Sequence, residues 1–141
     1  MTSDTTSPKV LIPVETKTRE LSAKLFLSTV LAGRGYNVYL GNKIQHTALD
    51  KIDPDVYFET GARQHEDRLR RLQERGVRTL ILETEGSAFP GAEEFSKAVD
   101  SDTLEYTDCY CAWGAVAGDV VENEAPETHV EITGNPRFDL L

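Results

Sequence analysis

The stretch KVLIPV, Lys9–Val14, is a short, nearly continuous apolar run rich in β-branched residues. Such a run is what a strand covered on both faces of a parallel sheet requires, so it reads as a central strand. Directly downstream, RELSAKLFLSTVLAGR (19–34) repeats Ala23, Leu27, Val30 and Leu31 at helical spacing, with Glu20 in the first turn and Gly35 just past the end. An acidic first turn and a terminal glycine are helix start and stop signals, and the four apolar residues mark the expected sheet-facing side. A buried strand followed by an amphipathic helix is the first half of a crossover unit.

The same alternation runs on along the chain. YNVYLG, DVYFET, VRTLILE, CYCAWG and HVEIT read as strands, and the segments between them as helices: Gln45 to Ile52, HEDRLRRLQERG closed by Gly76, Ala92 to Val99 with a turn near Leu104, and AVAGDVVENE. Strands and helices joined by short turns imply parallel strands with crossover connections. The expected fold is α/β: a doubly wound, mostly parallel Rossmann-like sheet of about six strands with helices on both faces. Ligands of such sheets bind beyond the carboxyl ends of the strands, where strand order reverses, so site residues belong in the loops that follow strands.

Length and charge narrow the classes of function. The 141 residues suit one core. Acidic residues outnumber basic ones 24 to 15, for a net charge of −9, and they are scattered without forming a tail. Gripping nucleic acid or anionic lipid depends on clustered Lys and Arg, which excludes both as main partners. No apolar run reaches the 18 or so residues of a spanning helix. The opening MTSDTTSPK has neither a basic nor a hydrophobic segment, so residues 1–8 read as a frayed tail and the protein as cytoplasmic. Cys109 and Cys111, one residue apart in an apolar run, share a strand face and read as buried reduced thiols. No second Cys or His pair stands at zinc-ligand spacing, and His46, His65 and His129 lie in unrelated elements, so structural or exposed histidine is the default for each.

The loop after the first strand carries neither G-x-G-x-x-G nor G-x-x-x-x-G-K-[ST], which removes dinucleotide and P-loop folds. It offers Glu15, Thr16, Lys17, Thr18 and Arg19, a polar set at a helix start. That set suits an anion or a sugar hydroxyl, and equally plain capping by Thr16 or Thr18. The loop after the fourth strand, ETEGSAFPG, offers Glu83 and Glu85. Two carboxylates on one strand end can raise each other's pKa, as a general base near neutral pH needs. Glu85, beside Gly86, is the better candidate, although surface loops also carry many inert glutamates. Trp113, at the end of the fifth strand, is either core filling or a flat face for a sugar ring. The final TGNPRFDLL announces a helix, with Gly134 for a turn, Asn135 as N-cap and Pro136 at the first helical position, but only about one turn follows.

Together, VLIPVETKTRELSAKLFLSTVLAGRGYNVYLG, ILETEGSAF, CAWG and ITGNPRFDLL resemble the amino-terminal half of surface carbohydrate biosynthesis proteins. These are similar in outline to two-domain GT-B glycosyltransferases and to sugar-nucleotide epimerases. The resemblance implies a Rossmann-like acceptor-side domain over 9–134 and the start of an interdomain junction over 135–141, with the donor-binding domain absent from the chain. It implies Glu15, Thr16, Lys17 and Arg19 as an acceptor-side loop, Glu85 as a base, and Asn135 and Arg137 as the junction motif. It implies no metal and no cofactor. The implied partners are a glycan or lipid-linked acceptor and a separate donor-binding domain or protein, and the chain alone would be inactive. Two alternatives stand beside this: a non-catalytic glycan- or partner-binding module, and half of a sugar-nucleotide epimerase. A receiver domain would need an acidic cluster after the first strand and an Asp after the third, which a lone Glu15 and Glu59 do not supply.

Overall fold

A computed structural model describes residues 6–42, 46–85 and 88–140. Of the sequence expectations, residues 1–5 of the tail, Gln45, the His46 side chain, Gly86 and Leu141 lie outside the described residues. The elements follow one another as β1 (Lys9–Val14), α1 (Lys17–Gly33), β2 (Asn37–Asn42), α2 (His46–Ile52), β3 (Val56–Glu59), α3 (Glu66–Glu74), β4 (Arg78–Leu82), α4 (Ala92–Ser96), α5 (Ser101–Glu105), β5 (Cys109–Ala112), α6 (Ala115–Glu124) and β6 (His129–Ile132), and a 3₁₀ turn spans Phe138–Leu140. All strand pairs are parallel, in the order β2-β1-β3-β4-β5-β6.

Alternation along each strand sorts its side chains onto two faces. Val10, Ile12, Phe58, Leu82 and Cys111 share one face, and Leu27 and Leu31 of α1 pack against it. The neighbouring residues Leu11 and Tyr57 turn the other way, onto Leu49 of α2 and Leu69 and Leu72 of α3. Further along that second face, Ile81, Tyr110 and Ala112 meet Phe95, Leu104 and Val121 from α4, α5 and α6. Helices therefore cover both faces. Burial holds both strand thiols up, Cys111 to about 12, so they serve as apolar filling.

Helix α1 departs from a simple amphipathic reading. Val30 is 38% exposed, whereas Glu20, Ala23, Lys24 and Ser28 are buried against the sheet. Both α1 and α3 stop in the same way. Gly35 and Gly76 adopt φ of 92° and 79°, and the amides of Tyr36 and Val77 reach back to the carbonyls of Leu31 and Leu72. A side chain is strained at such φ, which is why glycine stands past each helix end.

Strand order reverses between β1 and β3, because β2 lies on one side of β1 and the rest of the sheet on the other. The β1–β3 ladder is short. It pairs Val10 with Val56 and Leu11 with Tyr57 and goes no further, ending two residues before Pro13. Proline has no N–H to donate, so the ladder cannot continue past it and the two strand ends part. The crevice expected of a doubly wound sheet opens there.

Candidate functional site

Three loops meet over this crevice. The β1–α1 loop brings Glu15 and Arg19, the β3–α3 loop brings Thr60, Gly61, Arg63 and His65, and the segment after β4 brings Glu83, Thr84 and Glu85. They enclose a cleft of about 80 Å³. Glu15, Arg19 and Glu85, singled out from sequence, are thus brought together across a separation of up to 70 residues. Thr16 flanks α1 without a side-chain cap bond, and Lys17 is its exposed first residue; neither lines the cleft.

The loop after β1 rests on a buried ion pair. Lys24 Nζ donates to Glu20 Oε2 at 2.8 Å and to the carbonyl of Pro13 at 2.5 Å. Glu20 in turn accepts from the amides of Glu15 and Thr16 at 3.0 and 3.3 Å and from the Arg19 guanidinium at 3.2 Å. Glu20 and Lys24 are each only 2% exposed. Burial alone would raise the Glu20 carboxyl, but the hydrogen bonds from Lys24 and the Glu15 amide more than reverse this and hold it below the usual range. For Lys24 burial wins, and its ammonium sits below the ordinary lysine value. One helical turn of charge thereby fixes the loop that carries Glu15 and Arg19.

Glu83 and Glu85 both line the cleft but sit in different surroundings. Glu85 turns outward between two arginines, its Oε1 2.7 Å from Arg19 and its Oε2 3.0 Å from Arg63. Glu83 is 3% exposed, accepting from the Glu85 amide at 2.8 Å and from the Tyr110 hydroxyl at 3.3 Å. Its carboxyl lies above the ordinary 4.5, mainly through burial, with the Glu85 amide and Arg63 partly offsetting the rise. A side-chain Cβ added at Gly61 would stand 3.5 Å from Glu83 Oε2, so glycine there leaves the carboxyl open to the cleft. Of the two carboxyls after β4, the one whose proton affinity the fold raises is Glu83, and its burial comes from residues of other elements that the local sequence does not reveal.

A carboxyl raised on folding stabilises the fold fully below its unfolded value, and that stabilisation is lost as pH rises through the folded value. Glu83→Gln is accordingly expected to gain stability relative to the parent as pH climbs from about 4.5 toward neutrality, a gap that thermal unfolding across a pH series measures. A gap that does not change with pH would show that Glu83 ionises like a free glutamate.

The carbonyl of Glu83 is a second meeting point. Trp113 Nε1 and Asn135 Nδ2 both donate to it, the latter at 3.3 Å. Asn135 Oδ1 also accepts the Arg137 amide at 2.9 Å, capping the 3₁₀ turn as the GNPR sequence leads one to expect. Trp113 meets Phe138 edge to face at 5.2 Å. Asn135 and Arg137 line a small recess with Arg19 and Lys24, beside this cleft.

Glu59 ends β3 at 1% exposure, and sequence reading assigned it no part in a site. Its Oε2 accepts from Arg68 at 3.0 Å and Tyr57 at 3.2 Å, and its Oε1 from the Thr60 amide at 3.0 Å. Arg63 and His65 were equally silent, since neither belongs to a motif; only the topology brings them to the crevice. Among the described residues no helix is long and apolar enough to cross a membrane. Compared with models of known protein families and with curated proteins, the chain finds no match.

Proposed function

We propose that this chain is the acceptor-binding domain of a glycosyltransferase-like protein of surface polysaccharide biosynthesis. The donor nucleotide sugar would be held by a second α/β domain or protein. The sequence resemblance suggests the family, and one observation carries the chemistry: the crevice is lined by carboxylates whose cationic neighbours are already engaged. Glu85 takes up Arg19 and Arg63, leaving the cleft poor in free positive charge for a diphosphate. Carboxylates and the Thr60 and Thr84 hydroxyls are the acceptors and donors a polyhydroxyl ligand uses. Glu83 is the proton-transfer residue in this reading, and Arg19 and Arg63 position Glu85 beside it.

The test is calorimetric titration of the full chain with oligosaccharides and, separately, with nucleoside diphosphates, followed by an assay with a donor-binding domain and nucleotide sugars. Glycan binding weakened by Arg63→Gln, with no nucleotide binding and with transfer once the donor domain is added, is the expected result. Tighter binding of the nucleotide than of any glycan would overturn it. A non-catalytic glycan-binding module is the second reading, favoured by the closure of both Glu85 oxygens on guanidinium groups; binding heat without product in the reconstituted pair selects it.

A further inference from the structure

We propose that Glu15, Glu59 and His65 form a site for one divalent transition-metal ion at the parting of β1 and β3. One ligand atom from each lies within 4.8 Å of the others. The three come from separate places in the fold: the loop after β1, the last residue of β3 and the residue preceding α3. This inference stands independently of the glycan reading.

The strongest observation is how Glu59 is held. Arg68 and the Tyr57 hydroxyl fasten Oε2, and the Thr60 amide orients Oε1. Oε1 also has the Thr60 hydroxyl at 3.4 Å and His65 Nε2 at 3.7 Å. The 3.7 Å separation is too long for a hydrogen bond to the imidazole. It is close to the spacing of two ligands on one ion, since two metal–ligand bonds of about 2.1 Å at a tetrahedral angle put their ends about 3.4 Å apart. Hydrogen bonds that hold a buried carboxylate in place beside an imidazole are the outer shell a metal site requires, and an ion here would take the place of the long Thr60 hydroxyl contact.

The donor set narrows the ion. Two carboxylates and one imidazole suit Zn²⁺ or Mn²⁺, whereas Ca²⁺ and Mg²⁺ favour all-oxygen cages and Cu(I) favours sulfur. Glu15 is exposed, which gives the ion a path in, and three protein ligands leave coordination positions open toward the cleft.

The metal-free full chain is titrated with Co²⁺, read by visible absorption, and with Zn²⁺ and Mn²⁺ by calorimetry. One equivalent is expected to bind, with absorption bands of low-coordinate Co²⁺. Glu15→Gln and His65→Gln, each checked by circular dichroism, are expected to weaken it by at least about tenfold. Glu15 is exposed, so its variant separates ligand loss from misfolding. Lack of saturable binding, or binding unchanged in both variants, would overturn the assignment and leave His65 as a simple neighbour of Glu59.

Discussion

Glu20→Ala is expected to lower the unfolding free energy by about 3–5 kcal/mol, because it strands a buried ammonium. Lys24, at 2% exposure, would keep the Pro13 carbonyl as its hydrogen-bond acceptor, with Glu15 and Glu59 acting on it only through space. That carbonyl has its own reason to need Lys24: β1 and β3 part before Pro13, and the sheet on that side no longer serves it. The converse change, Lys24→Met, is expected to cost less, since Glu20 would retain two backbone amides and Arg19. Removing both charges in Glu20→Ala with Lys24→Met should recover much of the loss, so the two substitutions will not add. Urea denaturation of the three variants measures this. A Glu20→Ala loss below about 1 kcal/mol, the range of exposed pairs, would mean that the pair is solvated.

The pair also sets a pH dependence with a definite sign. Glu20 is depressed in the fold, so its contribution is present above the ordinary carboxylate value of 4.5 and is lost as pH falls through the lower folded value. Lys24 is depressed too, so the unfolded chain binds its proton more tightly, and the resulting penalty fades as pH rises from the folded value toward 10.5. Both groups therefore make stability rise with pH, the acid limb from Glu20 and the alkaline limb from Lys24. Glu20→Ala should flatten the acid limb.

Arg68→Met is expected to cost about 3 kcal/mol by leaving the Glu59 carboxylate buried without its cation. The figure is at the low end because the Tyr57 hydroxyl and the Thr60 amide still donate to it. The Tyr57 phenol is already pushed well up, by burial first and by Glu59 second, so it stays a hydrogen-bond donor at any physiological pH. Adding Glu59→Gln to Arg68→Met should restore part of the stability. A double-mutant cycle by chemical denaturation isolates the coupling, and full additivity would deny that Arg68 neutralises Glu59.

These two pairs also mark where the sequence could be read and where it could not. KVLIPV announced a covered strand because apolar runs survive without context, and Gly35 and Gly76 announced helix ends because only their φ suits the turn. The parallel sheet followed from alternation alone. On α1, by contrast, the apolar period marked Val30 for the core, while the face toward the sheet includes Glu20 and Lys24. Two charges that satisfy each other and a proline-freed carbonyl leave no trace in a hydrophobic pattern.

The site was legible to the same degree. Glu15, Arg19 and Glu85 could be picked out because they follow strands, and Asn135 because its turn chemistry is local. The difference between Glu83 and Glu85 was hidden, since it depends on Tyr110, Arg19 and Arg63 arriving from other elements. Glu59, Arg63 and His65 gain meaning only from the order of strands, which places the ends of β1 and β3 side by side.

Trp113 is the chain's sole tryptophan. Its indole donates to the Glu83 carbonyl and stands edge-on to Phe138. Tryptophan emission, excited at wavelengths where the five tyrosines do not absorb, therefore has a single source, wired to the backbone of the shifted carboxyl. Emission colour and quenching will register any molecule that disturbs the end of β4, with no dye attached and no residue replaced.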